Sequence, residues 1–387
     1  MPSVGSDHFK QYTPQNRVKH AILTAYFRAY LGALNRVADA FHYVDAFAGP
    51  GAYAGSETGS PLAAVALLAN QSKPASASFV ESDRKLAESL GAALAASPDV
   101  SKLFDAPLIE NEEFSDCGDR LFSRPIYSKH SRVATFAFVD PCGVVGLRMQ
   151  DLAKILKLPF GECLVFWNYD GLNRWIGGIG AGTHERRKLD EFFGDAETAS
   201  LAMDFRQSPK GEPKEQFLRN LYTQAVRRHA GADFCLPFRF QSPDGERTSH
   251  YLIHLSRHHL AFKIMKEVMH RVASPSTDAG VFEFVPPSEL GTQAGVFAPN
   301  IDGARAEILK ELKNGDRPVS LFADNWVRRP HDFLIAEDYK KILLEMEREG
   351  SITVLDEKTR MPKPASKRIR GGKVTLGDAK LILLSSR

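Results

Sequence analysis

The sequence lacks clustered cysteines, long apolar runs and an excess of either charge. Its four cysteines are spread over 387 residues without a C-x-x-C pair, which argues against a zinc ribbon or a disulfide scaffold. No run reaches the ~18 apolar residues that span a bilayer, and the polar N-terminus lacks the apolar core of a signal peptide. The net charge is only +3, so a surface for nucleic acid must be local. We expect a cytoplasmic protein without a membrane partner or a bound metal.

Short apolar strands alternate with helical segments through the first half of the chain. The predicted strands lie at residues 41–46, 78–81, 135–139 and 163–167, and the helices at 17–37, 60–68, 84–94 and 152–158. Apolar strands separated by helices indicate a parallel sheet that is covered on both faces. The predicted fold is therefore α/β and Rossmann-like, with a mostly parallel sheet and helices on both sides.

The pattern in the second half of the sequence predicts an insertion, a linker and a further domain. The strand pattern loosens over about 177–247, where helical segments favour an insertion, and Pro, Gly and Ser accumulate at 275–302. We predict one domain over 1–290 and a winged-helix-like domain over 301–387, with three helices followed by a hairpin. Residues 358–373 contain seven basic and no acidic residues and would form the wing. The alternative for this segment is a solvated charged loop.

A glycine-containing loop follows the first predicted strand, in the segment DAFAGPG at 45–51. Glycines allow the backbone to approach a ligand more closely than any residue with a Cβ atom. The spacing differs from the dinucleotide fingerprint, and the absence of a GK[ST] motif disfavours hydrolysis of nucleoside triphosphates. The loop therefore predicts a ligand site without naming the ligand.

Acids at three strand ends narrow the choice of ligand. Asp45 and Glu81 end the first two strands, and Asp140 follows the strand TFAFV. Singly, each acid could be a turn or cap residue. Together they would converge at the carboxyl edge of one sheet, where open α/β sheets bind ligands. This layout fits S-adenosylmethionine (SAM), with an acid on the ribose and a later loop for the acceptor.

Several motifs resemble those of the three-Cys-motif partner (TcmP) family: DAFAGPG, GSPLAA, FVESD, FVDPCG and WNYDGLNR. The resemblance covers most of the chain and implies a class I methyltransferase fold, SAM as cofactor, and a partner protein that carries the three cysteines. It also implies roles for individual residues. The implied SAM contacts are Asp45, Phe47, Gly49, Gly51, Glu81, Asn111 and Asp140, and the implied catalytic or acceptor-binding residues are Asp140, Pro141, Cys142, Asn173 and Arg174.

The segment Asp140-Pro141-Cys142-Gly143 also resembles the DPPY loop of methyltransferases that modify an amine of a nucleic-acid base. In such enzymes an aromatic residue stacks on the flipped base. Here Cys142 and Gly143 replace the second proline and the aromatic residue, so Trp167 or Tyr169 would have to supply the stacking. Cys142 could instead be a thiolate nucleophile, as in cytosine-C5 chemistry, or a small residue in a variable slot.

These features predict an enzyme, a SAM-dependent methyltransferase that acts on a nucleic-acid base, with an exocyclic amine favoured as acceptor. Asp140 would orient the amine, while Asp45 and Glu81 would hold the cofactor. The alternative is a catalytically silent subunit of the same fold, which acts with a partner protein or binds DNA through the wing.

Overall fold

The computed structural model describes residues 13–53, 58–141, 143, 146–178, 184–205, 212–242, 247–273, 282–284, 301–328, 334–377 and 381–385. The chain divides into two compact units, of which the first comprises Met1–Val272 with Glu283–Thr292 and the second comprises Ala273–Phe282 with Gln293–Arg387. The predicted boundary between residues 290 and 301 lies outside the described residues. The exact limits of the two domains therefore stay a prediction.

An eight-stranded sheet forms the centre of the first unit. Its strands are β1 (Ala40–Asp45), β2 (Ala75–Val80), β3 (Leu108–Glu110), β4 (Val133–Val139), β5 (Glu162–Trp167), β6 (Phe234–Gln241), β7 (Thr248–Ser256) and β8 (Phe282–Phe284). The order is β3-β2-β1-β4-β5-β7-β6-β8. Neighbours from β3 to β5 are parallel, and β7 runs antiparallel to both β5 and β6. The predicted Rossmann-like methyltransferase fold is therefore confirmed.

Helices cover both faces of this sheet. They are α1 (Pro14–Leu34), α2 (Ser60–Leu68), α3 (Arg84–Ala95), α4 (Phe114–Phe122), α5 (Pro125–Lys129), α6 (Met149–Lys157), α7 (Tyr169–Gly178), α8 (His184–Phe193), α9 (Ala196–Met203), α10 (Lys214–Ala225) and α11 (His259–Val272). One group consists of α1 with α2 and α11, and another of α6 with α8 and the π-helical turn after α10. Every residue of β1, β2 and β4 is buried, as expected for strands enclosed on both faces.

Local sequence signals explain where the main helices begin. Thr13 caps α1, because its Oγ1 accepts a hydrogen bond from the Asn16 backbone N–H at 3.2 Å and Pro14 occupies the first turn. Asp83 caps α3 in the same way, through Lys85 and Leu86. The first turn of each helix is thus fixed by a side chain of the residue that precedes it.

The predicted helical insertion over 177–247 requires a correction. Its described part is helical up to Ala230, but Phe234–Gln241 form strand β6, which pairs with β7. Burial along β6 partly alternates, a strand signal that the proline and arginine within FCLPFRFQ obscure in the sequence. Strand β3 and helices α4 and α5 are further elements that the sequence pattern did not predict.

The second unit has its own core and a small sheet. Its elements are α12 (Ile301–Leu312), β9 (Arg317–Pro318), α13 (Ala336–Arg348), β10 (Ile352–Asp356), β11 (Ile369–Arg370), β12 (Lys373–Val374) and β13 (Leu381–Ser385), with short π and 3-10 turns at 321–328. Strands β10, β13 and β9 form one sheet, and β11 and β12 form a separate hairpin. The helices pack on this sheet around Phe322, Leu343 and Leu383. The winged-helix assignment itself stays a prediction.

In the parts of the chain that the structure describes, no helix is both long enough and apolar enough to traverse a lipid bilayer.

Candidate active site

A cavity of about 500 Å³ lies at the carboxyl ends of β1, β2, β4 and β5. Open α/β sheets bind their ligands at this edge, because loops that follow neighbouring parallel strands meet there. The cavity brings together six of the residues predicted from the sequence. They are Phe47, Gly49, Gly51, Glu81, Asp140 and Pro141.

The loop after β1 adopts a conformation that depends on its glycines. Gly49 and Gly51 have φ angles of 63° and 81°, in the region that residues with a Cβ atom seldom adopt. A Cβ atom on Gly51 would also lie 2.9 Å from Leu90 Cδ1. The loop closes on itself where the Gly59 backbone N–H donates to the Gly51 carbonyl at 3.0 Å. The backbone consequently forms part of the cavity wall and is accessible to a ligand.

Glu81 connects the end of β2 to this loop. Its Oε2 accepts a hydrogen bond from the Gly49 backbone N–H at 2.8 Å, and its Oε1 accepts one from the Asp83 backbone N–H at 2.9 Å. Partial burial raises the pKa of the Glu81 carboxyl, although these two hydrogen bonds act in the opposite direction. A carboxylate oxygen accepts more than one hydrogen bond, so Glu81 can also receive hydroxyls of a ligand in the cavity.

Asp45 occupies a different place from the one that the sequence suggested. It is fully buried and does not line the cavity. Its Oδ1 accepts from the Phe47 backbone N–H at 3.4 Å, and its Oδ2 accepts from the Tyr43 hydroxyl at 3.2 Å. Burial raises the pKa of Asp45 to about 7, although a hydrogen bond with Ser60 acts against this rise. Asp45 therefore supports the loop through its hydrogen bond with Phe47, and its direct contact with a cofactor stays a prediction.

Asp140 forms an ion pair that the sequence did not predict. Lys19 Nζ, on α1, lies 2.5 Å from Asp140 Oδ2 and 4.4 Å from the centroid of the Phe166 ring. The Lys19 side chain is only 6% exposed, against 19% for Asp140. Lys19 belongs to the KHAIL segment near the N-terminus, and the helical pattern of this segment gave no signal of a distant carboxylate partner.

The aromatic surface of the cavity also differs from the expectation. Trp167 and Tyr169, predicted to stack on an acceptor, are buried and do not line it. Trp167 instead stacks on Tyr222, with ring centroids 5.0 Å apart. Because neighbouring residues of a strand point to opposite faces, Phe166 faces the cavity. Its ring stacks on His250 at 4.7 Å, and both residues line the cavity.

Three other predicted site residues, Asn111, Asn173 and Arg174, are not among the residues that line the cavity. Asn111 is exposed and donates from Nδ2 to the backbone carbonyls of Glu81 and Ser82, at 2.8 and 3.0 Å. Asn173 and Arg174 lie on α7, where Arg174 is 74% exposed and 3.4 Å from Asp170. Cys142 lies outside the described residues, so its role as nucleophile stays a hypothesis.

In the described segments there is no group of three or more His, Cys, Asp or Glu residues that could hold a metal ion. The described cysteines are buried, at Cys117, Cys163 and Cys235. The described cavity wall contains carboxylates, a lysine, backbone groups and aromatic rings.

No family model and no curated protein matches the sequence. Among solved structures, protein LPL1258 of Legionella pneumophila has 11% identity and a TM-score of 0.36, covering 62% of this chain and 84% of its own. A putative rRNA-methylase of Clostridium thermocellum has 11% identity and a TM-score of 0.29, covering 60% and 96%. The O-methyltransferase TomG of Streptomyces achromogenes, solved with SAM, has 14% identity and a TM-score of 0.28, covering 60% and 79%. These likenesses are too distant to indicate what this chain acts on.

Proposed function

We propose that this chain is a SAM-dependent methyltransferase of the three-Cys-motif partner type, which transfers a methyl group to an exocyclic amine of a nucleic-acid base. The main support for this proposal is that one cavity at the carboxyl edge of the sheet is lined by three predicted features. These features are the glycine loop after β1, Glu81 after β2 and Asp140 after β4.

The cofactor half of the cavity fits a nucleoside with an amino-acid tail. The loop at Gly49 and Gly51 places backbone on the cavity wall, and Glu81 offers carboxylate oxygens to ribose hydroxyls. SAM, when bound, supplies a methyl group on a sulfonium that needs no activation by the protein. The protein therefore has to hold the cofactor and place the acceptor in line with it.

The acceptor half is formed by Asp140, Pro141, Phe166 and Asn168. Lys19 Nζ donates a hydrogen bond to Oδ2 of Asp140. Oδ1 is therefore the oxygen to which the amine that receives the methyl group would donate. Phe166, with Lys19 over its ring and His250 stacked on it, forms an aromatic part of the wall beside Asp140. Asn168 Oδ1 accepts from the Gly171 backbone N–H at 2.7 Å, which leaves its amide N–H groups for a base edge.

Charges in the second unit support a nucleic-acid substrate. Four cations of the basic segment are exposed and have no ion pair among the residues described: Lys358, Lys367, Arg370 and Lys373. Unpaired exposed cations are the groups that neutralise phosphates and release counterions. The same segment could equally serve the silent binding subunit, so the test must separate catalysis from binding.

The test uses the full chain and a conservative substitution. Calorimetry should show SAM binding to wild type and to Asp140→Asn with affinities within about threefold, because Asp140 belongs to the acceptor half. Transfer of a labelled methyl group to RNA and DNA pools should fall by roughly 10²–10⁴-fold in Asp140→Asn. A matched control is Asp119→Asn, which removes an exposed carboxylate that pairs with Lys154 on the surface.

Two outcomes would redirect the assignment. Full activity of Asp140→Asn on its substrate would remove the acceptor role of Asp140. SAM binding without transfer to any nucleic acid would favour the catalytically silent subunit, or a need for the partner protein, and adding candidate partners would then separate these two.

A further inference from the structure

A second cavity, of about 830 Å³, lies at the opposite edge of the same sheet. It lies between the C-terminal half of α1, the loop after α6 and the start of α11, and includes Glu162, the first residue of β5. Asp140 and Asn168 of the first site lie at the carboxyl ends of β4 and β5. The two cavities have no lining residue in common.

Glu162 is an acidic residue in the lining of this second cavity. Its side chain is 7% exposed, and its Oε2 accepts hydrogen bonds from the Tyr26 hydroxyl and from His254 Nε2, the latter at 2.9 Å. Burial and the nearby Glu162 raise the pKa of Tyr26 well above its usual range, so the hydroxyl stays a donor. Among the described residues, Oε1 of Glu162 has no hydrogen-bond partner. A carboxylate oxygen accepts hydrogen bonds, so Oε1 can receive an N–H group of a ligand in the cavity.

The walls of the cavity are largely apolar. Leu34 of α1, Leu158 and Phe160 of the loop, and Leu260 and Ile264 of α11 all line it. The loop is tightly constrained, since Phe160 has a φ angle of 54°, and a Cβ atom on Gly161 would lie 2.0 Å from the Ile155 carbonyl oxygen. Strained backbone of this kind persists where the surroundings enforce it, often at ligand sites. A flat, apolar ligand body suits these walls.

Cations line the same cavity. Lys157 is exposed and has no ion pair among the described residues, while Arg257 donates from Nη1 to the Leu156 carbonyl at 3.3 Å and keeps further donors. Arg132 also lines the cavity but is engaged by Asp39 at 2.8 Å, and Asp233 contributes one negative charge. The cavity therefore suits a ligand that has a hydrogen-bond donor, a flat apolar body and an anionic group.

We propose that the second cavity binds a purine nucleoside monophosphate. The exocyclic amine of the base donates to Glu162 Oε1, the base lies against the apolar walls, and the phosphate meets Lys157 and Arg257. The volume falls in the range of roughly 300–1,000 Å³ typical of small-molecule sites. This site is separate from the proposed methyltransferase site and does not depend on that function.

The test is calorimetry of GMP and AMP on the full chain, with the free nucleosides and inorganic phosphate as partial ligands. Glu162→Gln should weaken binding of the preferred nucleotide by roughly tenfold or more, because it removes the charged acceptor. Lys157→Ala should weaken the nucleotide by roughly fivefold and leave the nucleoside unchanged, because it acts on the phosphate alone. Lys154→Ala is the matched control, since it removes a lysine from the same helix outside the cavity.

A third variant guards against loss of folding in Glu162→Gln. Leu260 is 43% exposed at the start of α11, so Leu260→Glu keeps the core and places a negative charge on the cavity wall. It should weaken nucleotide binding as well. Failure of both nucleotides to bind wild type, or unchanged binding in both Lys157→Ala and Leu260→Glu, would overturn the proposal.

Glu81→Gln distinguishes the two cavities. Nucleotide binding that is lost in Glu81→Gln but kept in Lys157→Ala would place the nucleotide in the first cavity and also overturn the proposal. SAM affinity, measured on the same samples, reports the proposed methyltransferase site independently of this result.

Discussion

Lys19 and Asp140 form an ion pair across 121 residues of sequence, with Lys19 Nζ 2.5 Å from Asp140 Oδ2. The pair connects α1 to the loop after β4 and leaves one carboxylate oxygen of Asp140 open to the cavity. Both side chains are largely withdrawn from water, so the pair keeps Asp140 in one orientation with little screening by salt. Lys19 is therefore a positioning residue for the proposed acceptor.

Replacement of Lys19 by methionine tests this role. Lys19→Met keeps most of the side-chain volume and the contact with Phe166 but frees the Asp140 carboxylate to rotate. We expect methyl transfer to fall by roughly 10²-fold, as for a small misplacement of a reacting group, while SAM affinity is preserved. Single-turnover transfer and SAM calorimetry measure the two effects. An equal loss of SAM affinity and transfer would instead indicate a general structural role.

Gly51 and Gly32 offer a matched pair of glycine-to-alanine substitutions. Gly51→Ala places a Cβ atom at a φ angle of 81° and close to Leu90, so it should destabilise the fold by roughly 1–2 kcal/mol and weaken SAM binding. Gly32 lies exposed within α1, with nothing within 4 Å of an added Cβ, so Gly32→Ala should stabilise by about 0.5–1 kcal/mol. Thermal unfolding and SAM titration check both. Similar behaviour of the two variants would contradict the role of the loop conformation.

Strand patterns and strand-end motifs predicted much of this molecule, because their signals are local. The segment DAFAGPG places a glycine loop directly after an apolar strand, and the structure puts Gly49 and Gly51 on the wall of a cavity. Glu81 and Asp140 likewise follow strands, and parallel topology alone brings them to one edge. Each of these predictions needs only the order of the elements along the chain.

Features that depend on packing between distant segments could not be predicted in this way. The pairing of Lys19 with Asp140 requires knowledge of how α1 lies across the sheet. The choice of Phe166 over Trp167 as the cavity-facing ring depends on the face of β5, and both faces are apolar. Asp45 shares its motif with the loop glycines, but only the structure shows that its carboxyl is buried beneath them.

Asp45 should make stability depend on pH. Burial raises its pKa in the folded state to about 7, from an ordinary value of 3.8, so the folded state holds this proton more tightly than the unfolded state. Stability should therefore fall as pH rises between about 4 and 7 and level off above. The variant Asp45→Asn has no carboxyl to titrate, so it does not lose stability over this range. The difference in free energy of unfolding between the variant and wild type should therefore increase by at most about 4 kcal/mol, in favour of the variant, from pH 4 to pH 8. Urea unfolding of both proteins across this range measures the difference; a constant difference would show that Asp45 titrates normally.

The exposed cations of the second unit should contribute to nucleic-acid affinity through phosphates. Replacing Lys358, Lys367, Arg370 and Lys373 by glutamine should make the slope of log affinity against log salt shallower by about 3 to 4 on duplex DNA. The control removes four exposed cations from α12, its C-terminal end and α13, namely Lys310, Lys313, Lys341 and Arg348. An equal effect of the two sets would show that total charge, and not the basic segment, governs binding.

Arg368 belongs to the same basic segment but has a structural role. Its side chain is 2% exposed, its guanidinium donates to both carboxylate oxygens of Glu347, and it also donates to the carbonyls of Lys363 and Thr375, each at 3.0 Å. Removing one partner of a buried ion pair leaves the other charge without compensation.

Arg368→Met should therefore destabilise the second unit by roughly 3–5 kcal/mol, whereas Lys367→Met, at an exposed neighbour, should have little effect. Hydrogen exchange resolves the two units of the chain and should show faster exchange over 358–376 in Arg368→Met alone. Unchanged exchange there would mean that the segment is held by its backbone and not by Arg368. Because of this difference, a loss of nucleic-acid binding in Arg368→Met cannot be attributed to charge unless the segment is shown to remain folded.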